Sequence, residues 1–160
     1  MLYAVLAAAL LALDQCVKHW INVHLALGEG MAFLPGFLEL RTVHNFGAAW
    51  SSFSGMRWVL VGVNLVIVLA ILFALVRRLV RHPLGRLAGS LVIAGGLGNV
   101  IDRVRLGYVV DMFNFQFIHY PVFNVADMCV VSGAILGAIY VVWFYEKYDG
   151  KGGSHGNPHA

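Results

Sequence analysis

Charge is scarce in this sequence. Asp, Glu, Lys and Arg make up only 12% of its 160 residues, about half the share found in an ordinary soluble domain. With 60% hydrophobic residues and a mean hydropathy of +0.78, that shortage excludes a water-soluble globular protein and points to the membrane. Cysteine is nearly absent. Cys16 and Cys129 each stand among apolar neighbours, where a free thiol behaves as a small hydrophobe, so neither a disulfide framework nor a catalytic thiol is read here. The seven histidines, His19, His24, His44, His82, His119, His155 and His159, form no HExxH or other metal-ligand spacing, and no metal site or cofactor is expected. "GGLGN" lacks the Lys-Ser/Thr of a phosphate loop and lies inside an apolar run, where glycine serves packing. Ser51, Ser52 and Ser54 have no evident base partner. The net charge of +3 is small, and Arg77, Arg78, Arg81 and Arg86 cluster beside apolar runs without interleaved aromatics, which argues against a nucleic-acid partner.

What the chain has in quantity is long apolar runs. A hydrocarbon core of about 30 Å needs about 20 helical residues, and residues 58–76, bounded by Arg57 and Arg77, meet that length without an internal charge. Further spans are expected at about 1–21, 85–104 and 128–145. The third reaches full length only with its polar flanks. A cleaved signal peptide is the competing reading of the first span, but that segment lacks a basic start and runs directly into Asp14-Gln15. The link "RRLVRHPLGR" carries four arginines in ten residues, so the positive-inside bias puts it, and with it both termini, in the cytoplasm. The Gly-rich tail, residues 147–160, has too little apolar surface to pack and is expected to be disordered.

On this four-span map the polar residues gather at one boundary. Asp14 and Lys18 lie near the outer end of span one, and Asn99, Asp102 and Arg103 near that of span three. Asn124 and Asp127 open span four, Asp111 lies in the outer link before it, and Asn45 in the long first outer segment. An ionised group beside hydrocarbon costs several kcal/mol unless it is paired or faces water. Asp14 and Lys18, four apart, are spaced to pair on one helix face. Gly95, Asn99 and Arg103 share a stripe at steps of four, suited to close packing and loop support. Asp111 and Asp127 have no basic residue at three or four positions on either side. Brought together, two such acids cannot both ionise comfortably, which leaves a general acid beside a general base able to activate water against a peptide carbonyl. The plain alternative is two solvated loop carboxylates. A small ion or proton transporter using Asp14, Asp102, Asp111 and Asp127 is the other functional class, and it requires a polar path across the bilayer.

The boxes "DQCVK" (14–18), "NFGAAWS" (45–51), "GGLGNVIDR" (95–103), "GYVVDMF" (107–113) and "FNVAD" (123–127), in this order, resemble the lipoprotein signal peptidase, or signal peptidase II, family. The resemblance implies a membrane α-fold: four transmembrane helices, a small extracytoplasmic β-cradle and a short amphipathic interfacial helix. It also implies a multi-pass enzyme of the bacterial inner membrane with its active site near the outer face. The activity implied is an aspartic endopeptidase that cuts before the lipidated Cys of diacylglyceryl-modified prolipoproteins. Asp111 and Asp127 become the catalytic pair, with Asn124, Asn99 and Arg103 bracing the site or meeting substrate. Asp14, Lys18, Asn45, Gly47 and Gly95 become its support. The expected partners are a lipidated prolipoprotein and membrane lipid, with the chain acting as a monomer. "GFLELRTVHN" (36–45) alternates as a strand, and "AAWSSFSGM" (48–56) is the expected interfacial lid, with Trp50 and Phe53 toward lipid. Two features depart from the family's pattern: Trp50 stands where Phe is more common, and basic residues are missing before span one.

Overall fold

The computed structural model describes residues 1–48 and 52–150. Its elements in chain order are α1 (Leu2–His24), β1 (Gly30–Leu34), β2 (Leu38–Asn45), α2 (Arg57–Val76), α3 (Pro83–Leu106), β3 (Val109–Phe115), α4 (Val125–Trp143) and the short α5 (Tyr145–Tyr148). The helices α1 to α4 are long and apolar enough to cross a membrane.

Helix ends are set by local chemistry that hydropathy alone misses. Helix α3 begins at Pro83, whose fixed φ suits the first helical position, under His82, whose Nδ1 accepts from the Leu84 N–H at 3.2 Å. It stops at Gly107, which takes φ 92°, a left-handed conformation that glycine adopts without a Cβ clash. Helix α4 begins three residues before the expected start at 128. Asn124 and Asp127 form a reciprocal capping box there, which draws Asp127 into the first turn. Lys147 and Tyr148, expected at the start of the tail, belong to α5, and residues 151–160 of that tail lie outside the described residues.

The bundle is arranged around α3, although α3 is not its most apolar helix. Small residues form most of its buried surface, among them Ala88, Gly89, Ser90, Ala94, Gly95 and Gly98. They let backbones approach closely, which is how helices associate where lipid removes the hydrophobic driving force between them. A Cβ on Gly95 would run into the Ala126 carbonyl oxygen and Val130 of α4, and one on Gly133 of α4 would lie 2.8 Å from the Ala88 carbonyl oxygen. Helices α1, α2 and α4 all pack on α3, and α2 scarcely touches α1 or α4. Leu65, Val66, Leu69 and Phe73 of α2 are exposed, as a lipid-facing surface requires.

Above one end of the bundle sits a three-stranded antiparallel sheet in the order β1-β2-β3. Strand β2 realises most of the alternating stretch 36–45. Its pairing with β3 is irregular between Leu40 and Val43, after which Val43 pairs with Asp111 and Asn45 with Val109. Ile21 and Leu25 at the end of α1 pack with Leu40, Val110 and Met112 in a core that ties the sheet to the bundle. The backbone of Phe123 bonds β3 on both sides: its carbonyl accepts from Phe113 N–H at 2.8 Å, and its N–H donates to the Phe113 carbonyl at 3.1 Å. This pins the start of α4 beside β3. Of the interfacial helix expected over 48–56, the described residues 52–55 form a turn instead of a helix, with Phe53 exposed. Residues 49–51, and with them the placement of Trp50, lie outside the described residues.

Candidate active site

Asp111 enters the site from the middle of β3 and Asp127 from the first turn of α4. One side chain joins them. The Asn124 amide donates to Asp111 Oδ1 at 2.6 Å, and its carbonyl oxygen accepts from the Asp127 N–H at 2.8 Å. The Asn124 side chain is fully buried, which fixes its rotamer and leaves it no role as a solvated cap. Asn45, at the end of β2, donates to the other Asp111 oxygen at 3.0 Å, and accepts from the Gly47 N–H at 2.9 Å. Asp127 receives the Asn99 amide at 2.8 Å and the Asn124 backbone N–H at 3.1 Å, at a helix N-terminus where a carboxylate is favoured.

The electrostatics of Asp111 follow from this placement. Burial, followed by the negative charge of Asp127, pushes its carboxyl up to about 7, while the bonds from Asn45 and Asn124 and the Lys18 ammonium hold it back. The neighbouring His44 ring, stacked on Tyr108 at 3.8 Å, is shifted the opposite way, below the usual imidazole value, because burial disfavours its cation.

A buried polar layer lies beneath the pair. Lys18 Nζ is 2.9 Å from Asp14 Oδ2, as its i,i+4 spacing implies, but it is also 2.9 Å from Asp102 Oδ2 and donates to Asn99 Oδ1 at 3.1 Å. Asn124 donates to the same Asn99 oxygen at 3.2 Å. Asp14 also accepts from the Ala126 N–H at 2.8 Å, and Asp102 from the Val110 N–H at 3.2 Å. One lysine thus anchors α1 to α3, and its two acid partners reach the backbone beside Asp127 and Asp111. Arg103 donates to the Gly47 carbonyl at 2.7 Å, tying α3 to the loop after β2. Gly95 takes no part in this network and acts through the close α3–α4 contact described above.

Three participants were not among the residues expected at the site. Asp102, noted in the sequence only as one of the boundary acids, completes the lysine's pairing. Gln15 donates to Asp14 Oδ2 at 3.2 Å and to Asp102 Oδ1 at 3.0 Å, so the amide beside Asp14 in "DQCVK" was the available signal. Asn64, the lone amide in the otherwise apolar α2, was the clearest sign missed, since polar groups inside spans are expensive.

Asn64 lines a cavity of about 280 Å³ together with Asn99, Asp111, Asp127, Tyr120 and Val130. It lies between α2 and α4, which scarcely touch, so the two acids are reached from the side of the bundle. A second cavity of about 190 Å³, lined by His44, His119 and Pro121, shares Asn45 and Asp111 with the first and lies against the sheet. Asp111 stands where the two meet. Among the described residues no three His, Cys, Asp or Glu side chains gather in a way that could hold a metal ion.

The chain has close relatives. Residues 6–143 match the family model described as Signal peptidase (SPase) II. A lipoprotein signal peptidase of Lactiplantibacillus plantarum is 44% identical over 88% of this chain and 94% of its own length. One from Enterococcus faecalis is 39% identical over 96% of each chain, and one from Clostridium acetobutylicum is 42% identical over 86% of this chain and 92% of its own. Two solved structures of a bacterial membrane enzyme, obtained by the in meso method, are also similar. The one at 2.3 Å resolution has a TM-score of 0.83 at 29% identity, covering 94% of this chain and 92% of that one. The one at 1.9 Å has a TM-score of 0.80 at 30% identity, covering 88% and 93%. With the matched region covering most of α1, the whole of α2, α3 and α4 and every residue of the polar network, the chain belongs to the signal peptidase II family.

Proposed function

We propose that this membrane signal peptidase is an aspartic endopeptidase acting on diacylglyceryl-modified prolipoproteins, with Asp111 and Asp127 as its catalytic pair. The observation that carries the reading is the placement of both carboxyls on one cavity, bridged by the buried amide of Asn124. In the resting enzyme the pair holds one proton, on Asp111, and Asp127 is the ionised base. Asp127 takes a proton from water as the water oxygen attacks the scissile carbonyl carbon. Asp111 gives its proton to the carbonyl oxygen, forming a neutral tetrahedral diol. On collapse the C–N bond breaks, the proton held by Asp127 passes to the leaving amine, and Asp111 recovers a proton from a hydroxyl of the diol. This general acid–base exchange contributes about 10²–10⁴-fold, and positioning of the peptide contributes further.

The substrate's signal helix enters from the bilayer between α2 and α4, and its lipidated Cys holds the cut at headgroup depth. Water arrives through the cavity against the sheet. Asn99, Asn124 and Arg103 brace the acids and the loop at Gly47. Asp14, Lys18, Asn45 and Gly95 hold that frame in place. The arginine-rich link 77–86 puts this end of the bundle on the outer face of the membrane and both termini in the cytoplasm. The enzyme acts as a monomer and needs no cofactor. A transporter needs polar groups through the whole bilayer, and the buried charges Asp14, Lys18, Asp102, Arg103 and Asp111 all belong to one layer at one end. The test is cleavage of a lipidated signal-peptide substrate by purified protein. The expected result is cleavage of the lipidated form only, with Asp111→Asn and Asp127→Asn each folded and inactive. Near-normal cleavage by either variant removes that residue from the pair, and ion flux without cleavage restores the transporter.

A further inference from the structure

The end of the bundle away from the acids carries a further, unassigned cavity of about 480 Å³. It exists because α1 and α2 both pack on α3 and scarcely touch each other. Its floor is α3 from Arg86 to Leu97, and its walls are the small side chains Ala4 and Ala8 of α1 and the aliphatic Leu72 and Leu75 of α2. Eleven residues of helix advance about 16 Å, roughly half the hydrocarbon thickness of about 30 Å. The groove is thus one leaflet deep, and it ends at Leu11 and Leu97, just short of the Asp14 layer.

Among the described residues Arg86, at its mouth, is the one charged side chain in the lining, which also includes the N-terminal residue Met1. The Arg86 guanidinium carbon lies 4.8 Å from the Tyr3 ring centroid, which holds the side chain over the groove. Ser90, which also lines the cavity, is already engaged, donating to the Arg86 carbonyl at 2.8 Å. Among the described residues no acid lines the cavity. The nearby Asp149 carboxylate is taken up by the Arg81 and His82 N–H groups and the Tyr140 hydroxyl. Glu146 and Lys147 of α5 offset each other in charge. Arg77, Arg78 and Arg81 of the same link leave this end strongly positive. A groove with apolar walls, one leaflet in depth and capped by a guanidinium that meets no carboxylate among the described residues, is complementary to one lipid class.

We propose that this groove binds one anionic phospholipid of the leaflet at the arginine-rich end, with an acyl chain along α3 and the phosphate on Arg86. The site stands apart from the peptidase chemistry and does not depend on it. The test is native mass spectrometry of delipidated protein in detergent, with phosphatidylglycerol or phosphatidylcholine of matched chains added back. One saturable phosphatidylglycerol adduct is expected, retained in preference to phosphatidylcholine. Arg86→Gln lowers that preference about fivefold, the value of one basic residue near an anionic headgroup, and Arg86→Lys keeps most of it. Ala8→Phe, which fills the groove from an exposed position, removes the saturable adduct of both lipids. Unchanged melting temperatures of the variants exclude misfolding as the cause. Equal retention of the two lipids, an unaltered preference in Arg86→Gln, or displacement of the adduct by inorganic phosphate alone would each overturn the proposal.

Discussion

Replacing Asn124 with serine separates two jobs that one side chain performs. Serine keeps an oxygen at the helix cap for the Asp127 N–H, so the cap itself changes by only a few tenths of a kcal/mol to about 1 kcal/mol. It is too short to replace the 2.6 Å bond that the Asn124 amide makes to Asp111. That bond favours the ionised carboxylate and is one of the forces holding Asp111 down to about 7. A hydrogen bond to a charged group contributes about 1.5–3 kcal/mol, and one pKa unit corresponds to 1.36 kcal/mol. Its loss alone raises Asp111 by about one to two units, and a water entering the vacated space recovers part of that, leaving a rise of about one unit. The proposed mechanism uses Asp111 in its protonated form, so a higher value should extend activity toward alkaline pH. The expected outcome is that the kcat of the wild type falls as pH rises through about 7, and that in Asn124→Ser this limb moves upward by about one pH unit, although the absolute rate drops. The assay is hydrolysis of an internally quenched lipidated peptide from about pH 5 to about pH 9. A limb that stays in place, or moves to lower pH, refutes both the proton assignment and the role of the amide.

Other perturbations probe the supporting frame. Between the ordinary carboxyl value of 3.8 and about 7, folded Asp111 keeps a proton that the unfolded chain has lost, so its contribution to stability declines as pH rises through that window. Asp111→Asn should therefore flatten the fall in melting temperature between about pH 4 and about pH 7, and an unchanged slope would contradict the assignment. Lys18→Met leaves Asp14 and Asp102 buried with Gln15 alone between them, and should cost about 3–5 kcal/mol, read by thermal denaturation in detergent. Gly95→Ala places a methyl against the Ala126 carbonyl, one residue before Asp127. It should cost about 1–3 kcal/mol by overpacking and reduce kcat more than KM, because the acid moves while the substrate cavity remains.

The site was partly legible in the chain because of where hydrocarbon tolerates charge. Asp111 and Asp127 stood out as acids without a nearby base, and Asp14 with Lys18 as a helical pair. Partners distant in the chain leave no local pattern in it. Asp102 meets Lys18 only because the small residues of α3 bring α1 close, with Asp14 lying against the site of an absent Cβ at Gly98. Asn64 was overlooked because a single amide hardly changes the hydropathy of α2, yet α2 and α4 diverge around it and leave it on the cavity. The position of Asp127 inside a helix turn, instead of just before a span, came from a capping box whose energy is local but smaller than the hydrophobic signal used to place the end.

The sequence alone determined the number and order of the spans, a strand within residues 36–45 and the gathering of acids at one boundary. Each of these follows from transfer of side chains between water and lipid, which every segment obeys by itself. Only the tertiary structure decided that Asp111 and Asp127 share one buried amide. That juxtaposition needs the irregular β2–β3 register, the backbone pairing of Phe123 with Phe113 and the near contact of α3 with α4 to hold at once. No stretch of the chain encodes such a coincidence by itself, because it depends on distances between segments and not on the preferences of any one of them.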